Sequence, residues 1–159
     1  MVGQERVYVD ASAWDIGAGD RAALVSIGLP ARVEPFFEAR IQTGDAPRIR
    51  RRHGLAQLYA IGWDLGRDLG VAPSDDGVFA VDPLGELPDC FVNSSVADLA
   101  AFLDAVVEAR PRFADLDDAQ AERIVAETRV RLASHDARAF SAADTWWSLV
   151  FEQLEIGMY

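Results

Sequence analysis

The chain has 159 residues, of which 50% are hydrophobic and 26% are charged, with a formal net charge of −11. This length and mixture are typical of one folded domain with its own core. The first 80 residues carry 11 acids and nine arginines, the remainder carries 15 acids and six arginines, and there is no lysine. Because phosphate recognition depends on cations, so acidic a chain is a poor candidate for direct nucleic-acid binding. A protein partner with a basic surface fits it better, because opposite fields speed encounter.

The single cysteine, Cys90, excludes a disulfide framework within the chain. The sequence also contains neither the hydrophobic region of a signal peptide nor an apolar run of about 18 residues. No basic amphipathic stretch indicates a membrane surface. We therefore expect a cytoplasmic protein without membrane contact.

The first predicted elements lie in the opening 30 residues. The apolar triplet Val7-Tyr8-Val9 is either a short strand or an anchor on the core. Asp20 is a candidate N-cap for a helix that starts at Arg21, and Gly28-Leu29-Pro30 should end it. Glycine suits the left-handed position after a helix, and proline commonly follows.

The middle of the chain is predicted to be rich in strands. A polar stretch from Thr43 to Gly54 has the composition of a surface loop and carries Arg48, Arg50, Arg51 and Arg52. Four β-like runs come after it: Leu58 to Trp63, Leu69 to Ala72, Val78 to Val81, and Cys90 to Val92. An Asp-Gly pair between the second and third runs indicates a hairpin. Together the runs predict an antiparallel meander.

Two helices are predicted in the last third, followed by an apolar segment. Ser95 stands at capping-box spacing from Asp98, ahead of apolar residues at helical intervals. The next helix should start at Asp117 or Asp118, where an N-cap and negative charge are favoured. The same capping spacing recurs in Ser141-Ala-Ala-Asp144 before the final segment. The prediction for residues 1–159 is one α+β domain, a mostly antiparallel sheet with flanking helices.

Residues that could support catalysis or metal binding are few. His53 and His135 lie far apart in sequence and form no ligand motif, and a lone cysteine cannot build a thiolate zinc site. Cys90 stands in an apolar strand, which is typical of a buried small side chain. The sequence contains neither a nucleophile elbow nor a phosphate-binding loop. We expect no metal, no cofactor and no catalytic residue.

The acidic residues allow three interpretations. Asp75, Asp76, Asp117 and Asp118 could contact a partner. An acid–base pair could come from Asp75-Asp76, Asp82 or Asp115-Asp117-Asp118. The interpretation that we favour is positional, since a hairpin turn and a helix start both prefer aspartate. We keep all four as candidate partner-binding residues.

Two further features are equally open. The arginines from Arg48 to Arg52, together with His53, could grip phosphate or a partner's carboxylates, or could simply be a solvated loop. Trp146 and Trp147 point about 100° apart on a helix, so one should be buried and the other partly exposed. An exposed tryptophan is either an interface candidate or the cover of a neighbouring loop.

Two motifs resemble the SUKH superfamily, specifically its fourth group. The first is Gly28-Leu29-Pro30 with Pro35-Phe36-Phe37 shortly after it, and the second is Val92-Asn93-Ser94-Ser95, which leads directly into a helix. The resemblance extends from about residue 24 to residue 154. From the residues alone, the polar side chains Asn93, Ser94 and Ser95 can satisfy free backbone donors at a helix start, which is an architectural role.

The resemblance implies a non-catalytic binding protein, namely a bacterial immunity protein that neutralises a cognate toxin by covering its active site. A nuclease or deaminase toxin with a basic cleft would complement the acidic second half of this chain. An adaptor of the same fold, which binds another cytosolic protein, is the alternative. An enzyme is the third class, and paired carboxylates in a deep pocket would favour it.

Overall fold

The structure is a computed structural model that describes residues 3–51, 57–64, 66–75, 77–110 and 116–157. Four α-helices lie within these ranges: α1 (Ala18–Ser26), α2 (Val96–Ala109), α3 (Asp118–His135) and α4 (Trp146–Glu155). The same ranges contain nine strands: β1 (Arg6–Val7), β2 (Leu29–Pro30), β3 (Arg32–Val33), β4 (Phe37–Ala39), β5 (Ile49–Arg50), β6 (Gln57–Asp64), β7 (Arg67–Val71), β8 (Val78–Val81) and β9 (Cys90–Asn93). Short 3-10 turns occupy Pro73–Asp75 and Ala137–Phe140.

Seven of these strands form one sheet in the order β3-β4-β6-β7-β8-β9, with β5 also paired to β6. All strand pairs are antiparallel, including the separate pair of β1 and β2. The meander predicted from the four apolar runs is therefore confirmed as β6 to β9. The prediction of an α+β fold with a single domain is confirmed as well.

Helices cover one face of the sheet, which we call the inner face. Alternate residues of the strands point to it, such as Leu69, Val71 and Ala80, and they join the main core. Helix α2 contributes its apolar stripe to the same core, including the fully buried Leu99 and Phe102. On the opposite face, here called the outer face, the described residues form a small second cluster of Ile49, Leu58, Ala72 and Val81.

The predicted helix end at Gly28 is confirmed. Helix α1 ends at Ser26, and Gly28 adopts a left-handed conformation with φ of 68°. A Cβ at this position would lie 2.7 Å from the Val7 carbonyl oxygen, so the site requires glycine for space as well as for conformation. The chain then passes directly into β2, whose Leu29 and Pro30 pair with β1. This part of the Gly-Leu-Pro motif is architectural.

Two predicted caps are wrong. Asp20 is not the N-cap of α1, because that helix begins at Ala18 after Gly17. Its buried carboxylate instead accepts a hydrogen bond of 2.8 Å from the Val96 backbone, at the start of α2. Nor does Ser141 cap the last helix, since it belongs to the end of the preceding 3-10 turn. Thr145 has that role and accepts from the Ser148 backbone.

The stretch predicted as a surface loop contains a strand. Ile49 pairs with Leu58 across β5 and β6 and is only 9% exposed. The neighbouring strand allows this close approach because a Cβ on Gly70 would lie 3.0 Å from the Ile49 side chain and 2.7 Å from that of Leu58. β5 thus lies against the outer face of the sheet.

Candidate binding surfaces

A buried polar network joins β9 to the helices on the inner face. The Asp136 carboxylate accepts from the Asn93 side chain at 3.1 Å, from the Ser94 backbone at 2.8 Å and from the Ser94 hydroxyl at 2.9 Å. The Asn93 side-chain oxygen in turn accepts from the Trp147 indole at 2.8 Å. Asp136 and Asn93 are both buried, so these bonds satisfy groups that water cannot reach.

The network changes the predicted roles of the Asn-Ser-Ser motif. Only Ser95 caps α2, and its hydroxyl accepts from the Asp98 backbone while donating to the Asp98 carboxylate. The expectation that Asn93 and Ser94 also satisfy the helix start is wrong, because both are committed to Asp136. The motif is still architectural: Ser95 caps α2, while Asn93 and Ser94 connect the end of β9 to Asp136.

The expectation that one tryptophan of the pair is exposed is also wrong. Trp146 is 1% exposed and Trp147 is 0% exposed, because α4 contacts both the sheet and α2. Trp146 packs against Phe36 and donates its indole hydrogen to Asp64 on β6. Trp147 packs against Phe102 of α2. Neither ring can reach a partner in this conformation, so both tryptophans are core residues.

The described residues do not place the four candidate acidic residues in one common site. Asp117 is the N-cap of α3 and completes a capping box with Gln120, which confirms the predicted cap. Asp118 is the first residue of α3 and is exposed. Asp75 ends a 3-10 turn and only its backbone is described, whereas Asp76 lies outside the described residues.

Three arginines meet on the outer face, around a shallow cavity of about 490 Å³. We call this surface the arginine face and define it by Arg40, Arg48 and Arg50. The one acid among the described residues that line the cavity is Asp68, and its burial raises the pKa of that carboxyl, an effect that nearby Arg40 opposes. A local excess of positive charge therefore stands on a protein with a net charge of −11.

The arginines of this surface differ in how they are held. Arg40 stacks over the Trp63 ring at 4.2 Å and lies 3.3 Å from the Glu38 carboxylate. Arg48 and Arg50 are exposed and make no ion pair within the part of the chain that is described. Their guanidinium groups keep their donors for solvent or for a ligand.

The Gln42 side chain holds this surface in place. Its nitrogen donates to the carbonyl oxygens of Gly44 and Ala46, at 3.3 and 2.7 Å. Its oxygen accepts from the backbones of Arg48 and Ala60, at 3.2 and 2.8 Å. One amide thus attaches the segment that carries Arg48 to strand β6.

The remaining residues of the stretch predicted as a positive patch are Arg51, Arg52 and His53. Arg51 lies 2.6 Å from the Asp89 carboxylate and stacks over Phe79 at 4.4 Å, so it is already paired. Arg52 and His53 lie outside the described residues. The sequence predicted the concentration of arginines from Arg48 to Arg52. It did not predict the contribution of Arg40 and Gln42, because strand pairing, and not sequence proximity, brings these two residues to the arginine face.

Away from the arginine face, the pKa values of Asp82 and Cys90 are shifted as well. The Asp82 carboxylate accepts from the backbones of Leu84, Glu86 and Leu87, which holds its pKa below the ordinary value. Burial raises the pKa of the Cys90 thiol, so its reactive thiolate form is disfavoured. No group of three His, Cys, Asp or Glu side chains suited to a metal ion occurs among the described residues.

The described helices include none that is long and apolar enough to cross a membrane.

The fold and surfaces define a class: single-domain α+β proteins with helices on the inner face of an antiparallel sheet and an open, charged outer face. The family model of the SUKH-4 immunity protein matches residues 1–153, and the chain belongs to this family. The resemblance drawn from the two motifs is thereby confirmed. No curated protein and no solved structure matches the chain.

Proposed function

We propose that this protein is an immunity protein that binds a cognate toxin and neutralises it by covering its active site. The observation that carries the proposal is the family match over residues 1–153. Membership supports an immunity role and implies a toxin as partner. Neutralisation by binding needs no reaction centre, and the buried Cys90 thiol, with its raised pKa, is poorly suited to nucleophilic attack.

The proposed toxin is a nuclease or deaminase type with a basic cleft. Support comes from the charge distribution, because residues 81–159 hold 15 acids against six arginines. Enzymes that act on nucleic acid need cations around their substrate, and an acidic inhibitor complements them. The candidate contacts are Asp75, Asp76, Asp117 and Asp118, of which Asp118 is exposed at the start of α3.

Growth rescue tests the proposal. A candidate toxin domain from a gene adjacent to that of this protein is induced in a bacterial host with and without the protein, and the two are then copurified. We expect growth only in its presence, together with a one-to-one complex. Continued toxicity at equal expression, with no complex, would contradict an immunity role and leave the adaptor interpretation.

A charge-reversal pair tests the proposed contact. Asp118→Arg with Glu122→Arg reverses two exposed acids of α3 and preserves the Asp117 cap. We expect slower association and a weaker salt dependence, because steering by opposite charge is lost. The matched control, Glu5→Arg with Glu152→Arg, makes the same change in net charge at exposed positions elsewhere. Equal association rates for the two variants would rule out α3 as the steering surface.

A further inference from the structure

We propose that the arginine face is a second interaction surface, which docks an extended acidic segment of a protein partner. This inference goes beyond the proposed function, since the acidic residues proposed to contact the toxin attract positive charge, whereas the arginine face attracts negative charge. Among the described residues, the charged lining of the cavity consists of three arginines and Asp68. In a chain with 26 acids and 15 arginines, such a local reversal of sign favours a partner with carboxylates.

The spacing of the cations matches an extended segment. Arg48 and Arg50 stand two residues apart on either side of Ile49, which packs down against Leu58. Alternate positions of an extended chain point to the same side, so Arg48, just before β5, and Arg50, within it, project from the same side of the backbone, with Cα atoms about 6.6 Å apart. A partner in extended conformation, with an acid at every second residue, presents its carboxylates at the same interval.

The lining between the cations favours protein over nucleic acid. Ile41, Val81 and Pro83 contribute apolar surface to the cavity. Such surface suits the intervening side chains of a peptide, and it offers nothing to a phosphate backbone. The net charge of −11 also opposes approach of a polyanion that is much longer than the cavity.

The surface is preorganised for binding. The four hydrogen bonds of Gln42 fix the segment before β5, and the Trp63 ring supports Arg40. Docking therefore costs little ordering of the backbone, and the exposed Arg48 and Arg50 need not break ion pairs described in the structure before they bind.

Titration with a synthetic peptide, followed by two-dimensional NMR, tests the inference without a toxin. The probe is a peptide of about eight residues that alternates Asp with Val, and its control has Asn for every Asp. We expect shifts concentrated in residues 40–50 and around Asp68 and Val81, which weaken as salt is added. Arg48→Glu with Arg50→Glu should weaken binding about tenfold or more. Arg123→Glu with Arg131→Glu, an equal charge change on α3, should leave the affinity within about twofold.

A second variant acts in the opposite direction. Asp68→Asn keeps the shape of the side chain and removes the acid from the cavity, so we expect tighter binding of the acidic probe by about threefold. This gain cannot arise from misfolding.

Several results would overturn the inference: no binding of the acidic peptide, equal binding of the Asn peptide, or equal loss in the two arginine variants. Tighter binding of an oligothymidine at the same residues would assign the surface to nucleic acid instead. None of these outcomes bears on growth rescue, so the failure of this inference and the failure of the immunity proposal are distinguishable.

Discussion

The two faces of the sheet differ in the burial and the partners of their charged side chains. On the inner face, the Asp136 carboxylate is buried and accepts three hydrogen bonds from Asn93 and Ser94. On the outer face, Arg48 and Arg50 are exposed and make no ion pair with any described residue. A buried charge without partners destabilises a protein by several kcal/mol, whereas an exposed one costs almost nothing.

This difference separates the residues that maintain the fold from those that are free to bind. The inner network joins the end of β9 to the segment after α3 and to α4, with a sequence separation of 43 residues between Asn93 and Asp136. Substitutions there should affect stability first. Substitutions of the exposed arginines should change what the surface binds and leave folding almost unchanged.

The largest effect is expected from Asp136→Ala. The change removes three hydrogen bonds to a charged acceptor and leaves the buried donor of Asn93 and the partly buried donors of Ser94 unsatisfied. We expect a loss of about 3 kcal/mol in the free energy of unfolding. Urea denaturation measures it, with the exposed Asp144→Ala as control. A loss no larger than that of the control would mean that the network does not stabilise the fold.

An intermediate effect is expected from Gln42→Ala, which removes all four hydrogen bonds of the side chain that holds the segment before β5. Since Gln42 is partly exposed and water can replace some of these bonds, the expected loss is about 1–2 kcal/mol. The exposed Gln153→Ala on α4 is the matched control. The acidic peptide should also bind more weakly to the Gln42 variant, and unchanged peptide affinity would argue against preorganisation.

The next effect depends on pH. Hydrogen bonds from the Leu84 backbone and from two further backbone donors lower the pKa of Asp82 below 3.8, so its carboxylate form favours the folded state. Its contribution is complete above the unfolded pKa and is lost as the pH falls through the lower folded pKa. The stability difference between wild type and Asp82→Asn should therefore be constant above about pH 5 and shrink below about pH 3.8. Thermal unfolding across this range measures it, and a difference independent of pH would contradict the role of the charge.

The smallest effect on stability is expected from the Arg48→Glu and Arg50→Glu pair. Neither arginine makes an ion pair among the described residues, so the free energy of unfolding should change by less than about 0.5 kcal/mol. Urea denaturation beside the peptide titration checks both properties on the same sample. A loss of several kcal/mol would place these arginines in the fold and remove the contrast between the two faces.

Local sequence signals predicted much of the architecture. The meander followed from apolar runs separated by turn residues, and the caps at Ser95 and Asp117 followed from residue type and spacing. In each case the interacting groups lie within a few residues of one another or on consecutive strands. Gly28 is similar, because a left-handed helix end has a strong sequence preference.

Contacts between distant segments caused the errors. Asp20 has the residue type of an N-cap but bonds to Val96, 76 residues away. Trp146 and Trp147 are both buried, with their ring centroids 4.8 Å apart, because Trp146 contacts β6 and Trp147 contacts α2. The arginine face was only partly visible, since Arg40 joins Arg48 and Arg50 through the pairing of β4 and β5 with β6.

The central claim is that this family member acts by binding through its exposed charges while its inner core stays unchanged. Amide hydrogen exchange of the protein alone and in complex with its cognate toxin tests it most directly. We predict new protection at an exposed charged surface, at the start of α3 around Asp118 or across residues 40–50, with no change in the amides of α2 around Phe102. No gain in protection at either surface, or exchange changes confined to the core, would contradict the account.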